Sequence, residues 1–120
     1  MKKIIFSISS VVATFCLMSC APESKDPKNA EASKGIIAYT PQTLSNPFFN
    51  VIAENIRAEA QKSGYEVLVV DPDMDVKKQS DQIDDFIAKN VVAIVLVPVD
   101  RLSIGPSVKA ANAAGIPVFT

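Results

Sequence analysis

The sequence predicts an α/β fold of the doubly wound class, in which a parallel sheet carries helices on its faces. Two observations lead to this prediction. Short apolar runs begin near residues 36, 67, 92 and 116, and a segment with helical spacing of apolar residues separates each run from the next. The runs are apolar throughout, which is typical of parallel strands buried on both sides. Strands and helices that alternate in this way connect through right-handed crossovers.

The first strand is predicted at residues 35–40 (GIIAYT), where an apolar run follows a polar segment. A helix is predicted from Pro47, because proline suits the first turn, and Asn46 is its candidate N-cap. The Ser-Gly pair at residues 63–64 ends this helix. Five apolar residues at helical spacing form its predicted buried face: Phe49, Ile52, Ala53, Ile56 and Ala60.

The second strand is predicted at residues 66–70 (EVLVV), and Asp75 is the candidate N-cap of the helix that follows. The buried face of that helix is predicted at Val76, Ser80, Ile83 and Ile87. The third strand is predicted at residues 91–97 (VVAIVLV), the clearest strand in the sequence.

The last helix and strand complete the predicted pattern. A third helix is predicted at roughly residues 102–114, with Ile104, Val108 and Ala111 facing inward. A fourth strand follows at residues 116–120.

The loops after the first three strands, at residues 41–46, 71–75 and 98–101, share one edge of the predicted sheet. Ligands of open α/β sheets bind at this edge, outside the carboxyl ends of the strands. The edge is therefore where a functional site is expected.

Two adjacent aromatic residues, Phe48 and Phe49, follow Asn46 and Pro47 at this edge. Successive helical residues point about 100° apart, so Phe49 fits the buried face and Phe48 points elsewhere. An exposed ring beside an amide suits a sugar, which has an apolar C–H face and a rim of hydroxyl groups. On the pattern alone, the alternative that both rings belong to the core stays open.

The composition excludes several kinds of function. The 120 residues include no His, and the formal net charge is −1. A Ser-His-Asp triad or a His-ligated metal site cannot form within such a chain, and a nucleic-acid-binding protein is normally basic. Acidic residues at 71, 73 and 75 match the start of a calcium loop, but Val76 and Gln82 stand where that loop needs Gly and Glu. We therefore predict no catalytic residue, no metal, no cofactor and no enzymatic activity.

The N-terminus carries the features of an export signal. Lys2 and Lys3 precede an uncharged, largely apolar segment at residues 4–18, which is too short to span a bilayer. The motif LMSC at residues 17–20 resembles the lipobox of bacterial lipoproteins, apart from Met18, where a smaller residue is commoner. The resemblance implies a signal peptide at residues 1–19 and a lipid on the thiol of Cys20. The alternative is an ordinary signal peptide with a chance cysteine.

The segment that follows Cys20 is rich in Pro, Ser, Lys, Glu and Asn, and it has no aromatic or β-branched residue. Such a composition cannot bury a core, so residues 20–34 are predicted to be a disordered tether. A domain at residues 35–120 follows it.

Three runs of this domain resemble the type I periplasmic binding proteins, in particular the ribose-binding-like branch that serves ABC transporters. They are IAYTPQTLSNPFFNVIAENIRAEAQKSGYEVLVVD, QIDDFIAKNVVAIVLVPVD and VKAANAAGIPVFT. The resemblance implies that Asn46 binds a sugar hydroxyl and that Phe48 and Phe49 line the sugar. Gln42 lies where relatives vary with ligand and is a further candidate for ligand contact. The implied partners are a small monosaccharide and ABC permease subunits, at a lipid-anchored site outside the cytoplasm.

The family has two similar lobes with the ligand between them, whereas this sequence contains the pattern of only part of the N-terminal lobe. We therefore expect residues 35–120 to be a fragment that binds no sugar tightly by itself. An alternative within the same resemblance is a sensory protein that presents a sugar or small signal molecule to a membrane receptor.

Overall fold

The computed structural model describes residues 32–120. The elements follow in the order β1 (Ile36–Thr40), α1 (Pro47–Lys62), β2 (Glu66–Val69), α2 (Val76–Ala88), β3 (Ala93–Leu96), α3 (Gly105–Ala113) and β4 (Val118–Phe119). The predicted signal peptide at residues 1–19, the lipidation at Cys20 and most of the tether at residues 20–34 lie outside the described residues. Within residues 32–120, no helix is both long and apolar enough to cross a membrane.

The four strands form one parallel sheet in the order β2-β1-β3-β4. β1 lies inside it, and Ala38 aligns with Leu68 of β2 on one side and with Ile94 of β3 on the other. The predicted α/β class with a doubly wound parallel sheet is confirmed. Because the strands are parallel, the loops after β1, β2 and β3 leave the sheet at the same edge.

Helices α2 and α3 cover one face of this sheet. Ala38, Ile94 and Leu96 alternate along their strands and point to that face. The buried apolar cluster there consists of Ala38, Ile83, Phe86, Val91, Ile94, Leu96, Ile104, Ala111 and Ile116. This cluster is the main hydrophobic core of the described residues.

Helix α1 covers part of the opposite face. Its predicted buried residues are confirmed at Phe49, Ala53 and Ala60, whereas Ile52 and Ile56 are only half-buried. The half-burial of Ile56 has a direct cause, since it lines an open groove over the sheet.

The buried face of α2 differs from the prediction. Residues Gln79, Gln82, Ile83 and Phe86 are buried, whereas Val76, Ser80 and Ile87 are only half-buried. The buried set has the i, i+3, i+4, i+7 spacing of a helix face. The prediction is confirmed at Ile83 and wrong at Val76, Ser80 and Ile87, because two amide side chains, Gln79 and Gln82, complete this face.

Helix α3 begins at Gly105 rather than near residue 102, and residues 101–104 form turns instead. Pro106 explains the later start. In a helix from residue 102, its missing N–H and its ring would disrupt the bond to the carbonyl four residues earlier, whereas proline is tolerated in a first turn. The third and fourth strands are also shorter than predicted, at Ala93–Leu96 and Val118–Phe119.

Candidate ligand-binding edge

Three loops meet where β1, β2 and β3 end, and we call residues 41–46, 70–75 and 97–104 together the strand-end edge. Backbone and side chains link the first two loops. The backbone N–H of Met74 donates to the carbonyl of Gln42 at 2.9 Å, and the N–H of Leu44 donates to the Asp71 carboxylate at 3.0 Å. The loops of the edge are therefore fixed to one another and do not hang independently from the sheet.

Gln79, on helix α2, joins the ends of β1 and β3. Its side-chain nitrogen donates to the carbonyls of Pro41 at 3.1 Å and Val97 at 3.0 Å. Its side-chain oxygen accepts from the N–H of Val99 at 2.8 Å. The residue is completely buried, and its amide thus supplies partners that strands lose where their ladder stops.

Gln82, about one turn further along α2, joins the ends of β1 and β2. Its nitrogen donates to the carbonyl of Asp71 at 2.9 Å, and its oxygen accepts from the Thr40 hydroxyl at 2.8 Å. A buried polar group is costly when unpaired, and here both amides are bonded. The sequence prediction missed this pair. The signal that could have found it is an amide at i and i+3 on the same face as Ile83 and Phe86.

The entry to α1 carries three of the predicted ligand residues. Asn46 is exposed, and its side-chain oxygen accepts from the N–H of Phe48 at 3.0 Å, which confirms it as the N-cap. Phe48 is 63% exposed, whereas Phe49 is 8% exposed. The sequence prediction that the two rings separate is therefore confirmed, and the alternative that both are core is wrong.

Gln42, the fourth predicted residue, is half-buried in the first loop. Its side-chain nitrogen donates to the carbonyl of Pro98 at 2.9 Å. The amide therefore bridges the first and third loops, and any ligand role has to share the side chain with this bond.

The carboxylates at the edge serve the backbone. Asp71 accepts from Leu44 and Asp73, and Asp75 accepts from the N–H of Lys78 as the N-cap of α2. Asp73 and its neighbour Met74 both have positive φ angles, of 57° and 60°. The predicted N-cap role of Asp75 is confirmed, and Asp71 holds the turn between β2 and α2.

Asp100 organises the third loop. Its carboxylate accepts from the N–H groups of Ser103 at 2.7 Å and Leu102 at 3.0 Å. These bonds, first of all those from Ser103, lower the pKa of the Asp100 carboxyl below its ordinary value of 3.8. Asp100 thus caps a turn before α3 and not the helix itself.

A sequence profile described as a periplasmic binding protein domain matches residues 37–120. The chain belongs to the periplasmic binding protein family. The match covers most of the described domain, and the family resemblance identified from the sequence is confirmed.

Individual members of the family show the same relationship. The chain is 36% identical over 124 residues to the ribose import binding protein of Bacillus subtilis (strain 168). This alignment covers all of this chain and 40% of that protein. Among solved structures, it is similar to an ABC transporter periplasmic solute binding protein from Actinobacillus succinogenes 130z with bound D-allose. That chain is 29% identical with a TM-score of 0.64, and the match covers 71% of this chain and 30% of that one.

A third similar protein is an ABC transporter solute binding protein from Bacillus halodurans C-125 with bound myo-inositol. It is 28% identical with a TM-score of 0.64, over 75% of this chain and 31% of that one. This periplasmic binding protein chain therefore spans 40% or less of the length of these relatives.

A groove of about 510 Å³ lies away from the strand-end edge of this periplasmic binding protein chain. Its apolar lining comes from α1 and from the face of the sheet that α1 only partly covers, and includes Ile37, Ile56, Ala60 and Val95. None of the predicted ligand residues lines it. The groove follows from incomplete cover of the sheet, and it is not the candidate site.

Proposed function

We propose that the complete protein is an extracytoplasmic solute-binding protein that captures a small sugar and delivers it to an ABC import permease. The observation that carries this proposal is the exposed ring of Phe48 beside Asn46 at the strand-end edge. Its position beside the edge where ligands of open α/β sheets bind supports a contact role.

The chemistry of the relatives' ligands fits this pair. Ribose, D-allose and myo-inositol, which appear in the names of three similar proteins, are all small polyhydroxylated rings or their open-chain equivalents. Such molecules offer C–H groups to an aromatic face and hydroxyl groups to an amide. The oxygen of Asn46 is used as the helix cap, so its NH₂ group is the natural donor to a hydroxyl.

One lobe alone is insufficient for tight capture. Micromolar affinity requires about −8 kcal/mol, and one ring with one or two amides has to supply this against the cost of association. We therefore propose that a second lobe of the complete protein closes over the sugar, and that residues 35–120 by themselves bind it only weakly.

The location of the protein is part of the same proposal. We place a lipid on Cys20 after removal of residues 1–19, on the basis of the LMSC motif. Two or three acyl chains would then hold the protein stably at a membrane, which one chain alone would not.

The test is calorimetry on the complete product of the gene, purified without residues 1–20, against D-ribose, D-allose and myo-inositol. We expect one of these ligands to bind with micromolar affinity and Phe48→Ala to weaken it about tenfold, a loss of about 1.4 kcal/mol. Val51→Ala is the matched control, because Val51 is 58% exposed on the same helix. The absence of binding by all three ligands, or equal effects of the two substitutions, would contradict the proposal.

A further inference from the structure

The hydrogen bonds of Gln79 reach two strand ends at once. Its amide bonds the carbonyl of Pro41 after β1, the carbonyl of Val97 after β3 and the N–H of Val99 in the third loop. Gln42 directly follows Pro41, and Pro98 directly follows Val97. The side-chain nitrogen of Gln42 donates to the carbonyl of Pro98 at 2.9 Å. One buried side chain thus lies beneath the bridge between the first and third loops.

The backbone groups at these strand ends need polar partners, and Gln79 supplies them. The surrounding face of α2 is apolar at Ile83 and Phe86, but an apolar residue at position 79 would leave those groups unpaired. What an apolar residue could not do is satisfy two carbonyls and one N–H while fixing their separation. The amide is planar and its three shorter hydrogen bonds are to backbone atoms, so its orientation sets the spacing of the two loops.

We infer that Gln79 is a positioning residue for the sugar site: it holds the loop that carries Gln42 and Asn46 at a fixed distance from the loop at residues 97–104. This inference rests on the proposed function and deepens it. Gln79 touches no ligand in this arrangement, because it is completely buried beneath the edge. It acts through the backbone of Pro41 and Val99 on the loops whose residues are proposed to contact the ligand.

Gln82 and Thr40 extend the same arrangement to β2. The Thr40 hydroxyl lies between the two amides, since it donates to the Gln82 oxygen and accepts from the Gln79 nitrogen at 3.4 Å. A change at Gln79 is therefore expected to reach the second loop, at Asp71, more weakly than it reaches the third loop.

The experiment separates positioning from general stability. Gln79→Met keeps the size of the side chain and removes its hydrogen bonds, while Ile83→Val removes one methylene from the apolar core of the same helix. Both variants are expected to lower Tm. In the complete gene product, only Gln79→Met is expected to weaken sugar binding, by about tenfold, with faster amide hydrogen exchange at Val99. An affinity unchanged in Gln79→Met, or lowered equally in Ile83→Val, overturns the inference.

Two provisions keep the test decisive. Should Gln79→Met not fold, Gln79→Asn retains the polar atoms but is one methylene too short to reach both strand ends, and we expect a smaller loss of affinity with the same faster exchange at Val99.

Should the parent protein bind no sugar, the proposed function fails by itself. The exchange rates then decide the positioning claim, which is overturned if Val99, Leu44 and Met74 stay as protected in the variant as in the parent.

Discussion

Phe48 and Phe49 meet edge to face, with ring centroids 5.4 Å apart and ring planes at 70°, although one ring is exposed and the other is buried. The contact joins the hydrophobic side of α1 to the strand-end edge. An edge-to-face pair of this kind contributes about 1 kcal/mol beyond the burial of area. The exposed ring of Phe48 thus packs against the buried ring of Phe49.

This relationship predicts that removing the two rings lowers the free energy of unfolding by very different amounts. Phe49→Ala removes a buried ring and is expected to cost about 3–5 kcal/mol in the free energy of unfolding. Phe48→Ala is expected to cost about 1 kcal/mol or less, because only the edge contact is lost. Chemical denaturation of both variants measures the difference. Equal costs would show that Phe48 belongs to the core.

The two functions assigned to Asn46 are separable by substitution. Asn46→Ala removes the cap of α1 and is expected to cost about 1 kcal/mol in stability. Asn46→Asp keeps the oxygen that accepts from Phe48 and adds a negative charge at the helix N-terminus, so its stability is expected to equal the parent's or exceed it. Because Asp lacks the NH₂ group, sugar affinity is expected to fall in both variants. Thermal unfolding and calorimetry test the two halves, and full affinity in Asn46→Asp would remove the donor role.

Asp100 makes the stability of the third loop depend on pH. Its folded-state pKa is lowered, first by the Ser103 N–H, so the charged form stabilises the fold above the ordinary pKa, and this contribution disappears as the pH falls through the lowered value. Asp100→Asn is therefore expected to lower Tm at pH 7 and to have a progressively smaller effect in acid. Thermal unfolding from pH 7 to below 3.8 follows the difference. A constant difference across this range would contradict the assignment.

The proposed anchor predicts a change of location. In cells, Cys20→Ser is expected to release the protein from the membrane fraction, because the acceptor thiol for the lipid is lost. Ser19→Ala, which keeps a small residue before the cysteine, is the matched control and is expected to stay with membranes. Membrane retention of Cys20→Ser would refute lipidation.

Much of the fold was predictable because it depends on short-range patterns. The split between Phe48 and Phe49 follows from the angle between successive helical residues, and the caps at Asn46 and Asp75 follow from residue type and position. The predicted start of α3 was wrong because Pro106 acts on the backbone four residues earlier, and this effect was not weighed against the apolar spacing.

The buried amides were not predictable in the same way. Nothing near Gln79 in sequence indicates that carbonyls 38 and 18 residues away, at Pro41 and Val97, need donors. The helical spacing of Gln79 and Gln82 with Ile83 and Phe86 indicates that the amides are buried, but their bonding partners follow only from the tertiary arrangement of the strand ends. Gln42 and Asn46 lie in the first loop of the edge, with Phe48 next to it at the start of α1, and contact of the predicted ligand residues with a sugar stays a prediction.

The direction of β1 has a mechanical consequence. Lys34 enters the domain where its N–H bonds the carbonyl of Gly64, and β1 then runs from this end to the strand-end edge. The proposed anchor at Cys20 would therefore join the domain at the end opposite the strand-end edge. The 15 residues from 20 to 34 span at most about 50 Å as an extended chain, so the proposed tether is long enough for this edge to turn toward the membrane. Shortening the tether is then expected to slow uptake by the complete protein while leaving its sugar affinity unchanged.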